Sequence, residues 1–215
     1  MKRGLRGSVL ALLAVVTLAI PSAAALQAPV APQQAAPVVT APPVVPGCEQ
    51  GCETVFSAAL PGGHRLDGLQ HAGGGNVLAY WNGTSLVDTA QVIGSDGHPY
   101  DVVTAGVCGA GHCSVAFEYG VHSAAVASLR LDTKITVDAT VEGVASDARD
   151  LNGDGSPDAS VRQSTYVPSF ALAPLYWETY EQQDDKLVLT GCTTPVQGME
   201  PAPTALATGP CPTNV

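Results

Sequence analysis

Hydrophobic residues in this chain occur in short runs, in which apolar and polar side chains alternate. Between positions 135 and 142, the odd positions carry Ile, Val, Ala and Val, and the even positions carry Thr, Asp, Thr and Glu. A period of two is typical of a β-strand with one buried face. Similar runs, bounded by Gly, Asp, Asn and Pro, predict at least eight strands, over 76–81, 86–93, 101–107, 114–119, 134–144, 159–166, 176–182 and 186–190.

A helical turn is expected only at 123–128, so the pattern predicts a mostly β fold built from antiparallel sheets. A weak internal repeat supports this. If one tyrosine is taken as inserted, the segment 96–103, DGHPYDVV, shares its Asp, Gly, Pro and second Asp with the segment 154–161, DGSPDASV. The offset of about 58 residues suits a repeated sheet unit of three or four strands.

The chain divides into four segments by composition. Residues 1–25 have a basic start, an apolar run and small residues near the end, which is the pattern of a secretory signal peptide. Residues 26–47 form a Pro/Ala-rich linker, residues 48–192 a β-rich domain, and residues 193–215 a Pro/Thr-rich C-terminal tail that Cys211 partly holds in place. No later segment has the roughly 18 uninterrupted apolar residues that a membrane span needs.

Charge and cysteine content agree with export. Loss of the leader removes three of the nine basic residues and none of the nineteen acidic ones, so the net charge falls from −10 to 6 − 19 = −13. Such acidity argues against nucleic acid or an anionic membrane as partner. Six cysteines in an exported chain predict three disulfides. Cys108 and Cys113 suit a bridge across a hairpin.

The other cysteines leave several pairings open. Cys48 with Cys52 and Cys192 with Cys211 is the simplest arrangement, and swapped pairs that join the two ends of the domain are the alternative. A zinc site with His112, Cys113 and another cysteine is a further alternative.

The strongest chemical signal is the segment 150–158, DLNGDGSPD. If Asp150 is position 1 of a calcium loop, then side chains at positions 1, 3, 5 and 9 and the backbone carbonyl at position 7 supply oxygen ligands. Gly155 falls at position 6, where the loop must bend. The predicted ligands are Asp150, Asn152, Asp154, Ser156 and Asp158.

Two other interpretations fit this segment less well. An ordinary surface turn explains Gly153 and Gly155, but it does not explain four ligand residues in register. An EF-hand requires a bidentate Glu at position 12 and flanking helices, whereas Val161 stands there and a strand follows. Ca²⁺ in a loop that leads into a strand is therefore the prediction.

The loop resembles that of FG-GAP or VCBS repeats, in which Asp-x-Asn-Gly-Asp-Gly-x-x-Asp leads into a strand at the edge of a β-propeller blade. The resemblance covers chiefly 147–161. It implies a structural, extracellular calcium site with the same five ligands. The roughly 145 residues of the domain supply only two or three blade-like repeats, so we expect a small sandwich or partial propeller stabilised by disulfides.

No catalytic residues are assigned from the sequence. It contains no Gly-x-Ser-x-Gly, His-Glu-x-x-His, phosphate-loop or dinucleotide motif, and its five histidines occur singly. Aromatic residues on the predicted strands suit either the core or a platform for carbohydrate or protein, and we favour the core; they are Tyr80, Trp81, Tyr119, Tyr176, Trp177 and Tyr180.

The sequence thus predicts a secreted or envelope-associated calcium-binding protein that acts as an extracellular binding, adhesion or structural module. Carbohydrate or protein at the cell surface is the expected partner. An exported hydrolase, or a protein associated with one, in which calcium serves as a scaffold, is the alternative.

Overall fold

A computed structural model describes residues 43–213, and the predicted signal peptide and most of the predicted linker lie outside the described residues. Twelve strands are described, with a short 3-10 turn at Pro61–Gly63. The strands are β1 Cys52–Ala59, β2 His64–His71, β3 Asn76–Asn82, β4 Ser85–Ala90, β5 Val102–Gly109, β6 His112–Tyr119, β7 Ser123–Leu131, β8 Ile135–Gly143, β9 Ala145–Arg149, β10 Asp158–Ser164, β11 Leu175–Gln183 and β12 Lys186–Cys192.

Consecutive strands pair antiparallel to form three four-stranded sheets. We call β1–β4 sheet 1, β5–β8 sheet 2 and β9–β12 sheet 3. Each sheet is a simple up-and-down meander, and the first strands of successive sheets contact one another, β1 with β5 and β5 with β9. The predicted mostly β fold of blade-like repeats is confirmed, and the arrangement fits a small sandwich or partial propeller.

Sheet 2 lies in the middle of the stack and has two buried faces. Along β6, Val115 and Phe117 pack against sheet 1, while Ala116 faces sheet 3. Along β7, the face toward sheet 3 carries small side chains, among them Ser128, whose hydroxyl bonds Gln182 on β11. Small residues on one face allow sheets 2 and 3 to approach closely.

The helical turn expected at 123–128 is wrong, because these residues belong to strand β7. The segment is rich in alanine, which favours helix in isolation. In the fold it pairs with β6 and β8 along its length, and both of its faces are buried. Tertiary burial therefore overrides the local preference.

The outer faces of sheets 1 and 3 are covered by the segments that flank the strands. On sheet 1, Trp81 and Val77 pack with Val45 and Cys48 of the N-terminal segment. On sheet 3, the segment 193–213 runs over Trp177 and Thr179: the Ala207 amide donates to Thr179 Oγ1 at 2.8 Å, and the Thr193 amide donates to the Trp177 carbonyl at 2.9 Å.

Three disulfides join Cys48 to Cys52, Cys108 to Cys113, and Cys192 to Cys211. The simplest of the open pairings is therefore the one observed. The first and third tie the flanking segments to the strands beside them, and the second closes the hairpin between β5 and β6. No described cysteine is free, which leaves no thiolate for the alternative zinc site.

Tyr100 lies in the segment that connects sheet 1 to sheet 2 and forms a part-buried hydrogen bond to β8. Its ring packs against Phe117 in the core, and its phenol donates to the Glu142 carboxylate on β8 at 2.9 Å. Ser95 binds the same carboxylate through its amide and hydroxyl. Burial, and then the Glu142 carboxylate, raise the pKa of the Tyr100 phenol well above its usual value of 10.0.

This network predicts a specific alkaline instability. A phenol whose pKa is raised on folding stabilises the protein fully below about pH 10, and that contribution is lost as the pH rises further. The Tyr100→Phe variant should lose about 1–2 kcal/mol of unfolding free energy at pH 8 and should show a shallower decline between pH 9 and 11. Urea denaturation across this range measures both effects. Parallel curves for the two proteins would contradict the assignment. Tyr180, whose pKa is also raised by burial, leaves a residual slope in the variant.

Candidate metal centre

The predicted calcium loop joins β9 to β10 at one end of sheet 3. Gly153 and Gly155 have φ values of 78° and 84°, in the region that glycine adopts without strain. The alternation of oxygen-bearing side chains with glycine thus produces a compact loop rather than a continuous strand. Asp158, the last predicted ligand, is the first residue of β10.

Inside the loop, backbone amides donate to the predicted ligand side chains. Asp150 accepts from the amides of Gly153 and Gly155, at 2.6 and 3.0 Å. Asn152 Oδ1 accepts from the Asp154 amide at 3.0 Å, and Asp154 Oδ1 accepts from the Ser156 amide at 2.7 Å. These bonds fix the positions of the Asp150, Asn152 and Asp154 side chains relative to the loop backbone.

Asp158 is fully buried and fixes the loop to the sheet. Its two carboxylate oxygens accept from the amides of Leu151, at 2.9 Å, and of Gln182 on β11, at 3.2 Å. Burial raises the pKa of this carboxyl, and the nearby carboxylates of Asp154 and Asp150 act in the same direction. A cation beside Asp158 would relieve both effects.

Glu181 is a further acidic residue at this site, and it was missed by sequence reasoning. The Asn152 Nδ2 donates both to Asp154 Oδ2, at 3.0 Å, and to Glu181 Oε1, at 3.1 Å. The amide group therefore lies between two carboxylates, where positive charge is favourable. Glu181 belongs to β11 and lies far from the loop in sequence, so only strand pairing brings it close.

The structure brings Asp150, Asn152, Asp154 and Asp158 into one hydrogen-bonded loop, with the Ser156 amide bonded to Asp154. Among residues 43–213, no three His, Cys, Asp or Glu side chains already surround a common point at metal-binding distances. The donors present are nonetheless all oxygens, mostly carboxylate, which is the set that calcium prefers over softer metals. Chemically, the residues fit the predicted ion.

The hairpin of β5 and β6, which is closed by the disulfide, packs against the loop. Ser114 on β6 donates its hydroxyl to the Pro157 carbonyl at 3.1 Å. A side chain built on Gly109 would overlap the Gly155 carbonyl, so the two backbones meet at this glycine. The loop is thus held on two sides, by β11 and by the hairpin.

The first copy of the predicted repeat, at 96–103, occupies a different place in its sheet from the calcium loop. The turn at 94–97 connects sheet 1 to sheet 2 and precedes the first strand of its sheet, whereas the loop at 150–157 lies between the first and second strands of sheet 3. In the turn, Asp96 Oδ1 accepts the His98 amide at 2.9 Å. The turn backbone is closed by the Gly94 amide, which donates to the His98 carbonyl, and by the Gly97 amide, which donates to the Gly94 carbonyl. The two segments share turn chemistry and are not equivalent positions of two blades.

Most of the strand aromatics belong to the core. Tyr80, Trp81, Tyr176 and Trp177 are each at most 6% exposed, and Tyr119 and Tyr180 are half-buried. The favoured core interpretation therefore describes their packing. The exposed aromatic side chains lie elsewhere, at Tyr166 and Phe170 in the loop between β10 and β11.

One surface groove contains a histidine, a hydroxyl and a carboxylate, as a hydrolase would require: His122, Ser123 and Glu142. None of the hydrogen bonds within residues 43–213 joins His122 to either of the other two. Glu142 is instead held by Tyr100 and Ser95. The groove therefore lacks the nucleophile–base contact that defines such a site.

Comparison of the chain with protein-family models, curated proteins and solved structures gave no match. Within residues 43–213, none of the described elements is a helix with the length and apolar character needed to cross a membrane. Three disulfides in a β fold are consistent with an extracellular protein.

Proposed function

We propose that this protein is a secreted calcium-binding β-repeat protein of the FG-GAP/VCBS type, serving as an extracellular binding, adhesion or structural module. The observation that carries the proposal is the hydrogen-bonded loop that contains Asp150, Asn152, Asp154 and Asp158, with glycine at positions 153 and 155. The Ser156 carbonyl and the Glu181 carboxylate complete the oxygen donors that we assign to the ion.

The proposed role of the ion is mechanical. Three loop carboxylates close together repel one another, and Asp158 carries the additional cost of burial. A divalent cation removes that repulsion in the folded state only, so binding adds to the stability of the fold. The loop would then hold β9, β10 and β11 together more firmly at the end of sheet 3.

Melting with and without calcium tests the proposal. With free calcium at 100 times its dissociation constant, mass action adds about 2.7 kcal/mol, and chelation should lower the melting temperature accordingly. Asp154→Ala should melt at one temperature in calcium and in EDTA, close to that of the chelated wild type. Asp154 is exposed, so its replacement leaves the core intact.

Asp96→Ala is the matched control, because Asp96 occupies a similar Asp-Gly turn without the other acidic residues. This variant should keep the full calcium response. Identical melting of the wild type in calcium and in EDTA would refute the proposed site. A response lost equally in both variants would show that the ion binds elsewhere.

A further inference from the structure

A surface groove lies at the end of sheet 3 opposite the calcium loop. It is formed by the turn between β6 and β7, the loop between β10 and β11, and the C-terminal segment. Its main part has a volume of about 420 Å³ and is lined chiefly by Arg162, Phe170, Ala173, Leu175, Met199 and His122. We call it the 165–174 groove.

The groove has an apolar rim that is exposed to solvent. Tyr166, Phe170, Leu172 and Met199 are 55, 40, 64 and 85% exposed, and no residue between 163 and 177 is charged. The rings of Tyr166 and Phe170 lie 5.7 Å apart, and His122 lies 6.1 Å from Phe170. A contiguous apolar surface of this kind marks an interaction site more often than chance exposure does.

Arg162 gives the groove a positive charge without an anionic partner. Arg65, Arg130 and Arg149 each form an ion pair, and the described residues provide none for Arg162. Its Nε is buried without an acceptor, and its Nη2 reaches only the Met199 sulfur, at 3.8 Å. The guanidinium lies 5.7 Å from the centre of the Trp177 ring.

An incompletely bonded guanidinium is costly, and a carboxylate satisfies it best because the two groups can form paired hydrogen bonds. Arg162 therefore favours a ligand that carries a carboxylate. Since the chain has a net charge of −10, most of its surface repels such a group, whereas Arg162 attracts it.

A second, polar part of the groove continues past His122 and Phe170, with a volume of about 340 Å³. Ser123, Gln163 and Glu142 line this part. Glu142 is ionised and already accepts from Tyr100 and Ser95, so it disfavours a carboxylate there and directs that group to Arg162. A ligand that fills both parts needs an anionic end, an apolar body and then polar groups.

We propose that the 165–174 groove binds the C-terminal end of a peptide whose last residue is large and apolar. The terminal carboxylate pairs with Arg162, and the last side chain packs on Phe170 and Met199. The preceding peptide N–H groups donate to Gln163 Oε1 and to the Ser123 hydroxyl, since Gln163 Nε2 already donates to Glu142 and Glu178. A fatty acid shares the first two features, but it leaves the polar part unmatched. This inference names the partner class of the proposed binding module, and it does not require the calcium loop.

Fluorescence titration tests the inference with defined probes. Trp177 lies beneath Arg162, and a Trp81→Phe background makes it the single tryptophan reporter. Acetyl-Ala-Ala-Leu with a free carboxylate should bind saturably, at least about tenfold more tightly than its C-terminal amide, which corresponds to about 1.4 kcal/mol. Octanoate serves as the fatty-acid probe and should bind more weakly than the peptide acid.

Three variants test whether peptide binding, and the difference in affinity between acid and amide, depend on the groove. Arg162→Gln should abolish the difference between acid and amide, Arg162→Lys should retain part of it, and Phe170→Ala should weaken both peptides. Arg130→Gln is the control, because Arg130 is bonded to Asp138 on sheet 2 and lies outside the groove. Melting curves of each variant establish that it is folded.

Several results would overturn the inference: equal binding of acid and amide, no saturation by the peptide up to 10 mM, an about 10-fold or larger effect of Arg130→Gln, or tight binding of octanoate without the peptide. Titrations in calcium and in EDTA separate this inference from the calcium proposal. Peptide binding with no calcium response would refute only the metal site, and a calcium response without peptide binding would refute only the groove.

Discussion

Removal of residues 193–215 should leave a chain that no longer unfolds cooperatively. The C-terminal segment contributes no strand to a sheet, yet it covers the outer face of sheet 3. Leu175 and Val196 exchange two backbone hydrogen bonds of 2.8 and 2.9 Å, and the Cys192 amide donates to Gly209 at 3.0 Å. Below this segment, Trp177 and Thr179 are at most 5% exposed.

We expect cooperative unfolding to be lost because deletion of the segment would expose a large buried surface of sheet 3. A buried Trp side chain and several backbone groups that are satisfied by the segment would meet water. Gly191 on β12 allows the C-terminal segment to pack closely, because a side chain there would lie 2.7 Å from the Ala207 carbonyl oxygen. We therefore expect the truncated protein to bind hydrophobic dyes and to melt without a sharp transition.

A double cysteine variant separates the contribution of the disulfide from that of the C-terminal segment itself. The Cys192→Ser, Cys211→Ser double variant keeps the segment but opens a loop with a sequence separation of 19. Chain entropy predicts a cost of about 3 kcal/mol for this change, with cooperative melting retained. Calorimetry on both proteins measures the contrast. A truncated chain that melts as sharply as the wild type would mean that the segment is dispensable.

Gly109→Val should destabilise the protein by about 2–4 kcal/mol and should disturb the proposed calcium loop. The Gly109 backbone lies directly against the Gly155 carbonyl, so a branched side chain must displace either the hairpin or the loop. The disulfide between Cys108 and Cys113 restricts the hairpin, and Asp158 anchors the end of the loop. Movement of either the hairpin or the loop would therefore break the contacts that hold it in place.

Ala110→Asn is the matched control in the same hairpin. Ala110 and Gly111 both have positive φ, 49° and 85°, as in the tight turns that favour Asn-Gly. This variant should be neutral or stabilising by up to about 1 kcal/mol and should keep the calcium response. Chemical denaturation with and without calcium compares the two variants. A neutral Gly109→Val would show that the close approach does not constrain the loop.

The sequence predicted strands that alternate apolar and polar residues, or that are rich in β-branched and aromatic residues. Strand β8 is of the first kind, and β3, β6 and β11 are of the second. The missed strands lack that signal. Strand β7 is buried on both faces and rich in alanine, and β9 is only five residues long. Strand β2 contains Arg, Asp and Gly in its interior.

The five proposed loop ligands could be recognised in the sequence because they lie within nine residues of one another. Glu181 could not, since its proximity to Asn152 depends on the pairing of β10 with β11. The same limit applies to the 165–174 groove. Its lining residues come from four separate segments, and no local pattern joins Arg162 to Met199 or His122.

The covered outer faces have a consequence for assembly. Stacked sheets with bare apolar ends could add further copies face to face without limit, as fibres do. Here Val45 and Cys48 occupy one end of the stack, and the segment that includes Ala207 and Gly209 occupies the other. Growth of this kind is blocked at both ends, so the three-sheet stack does not present its own faces as a template for polymerisation.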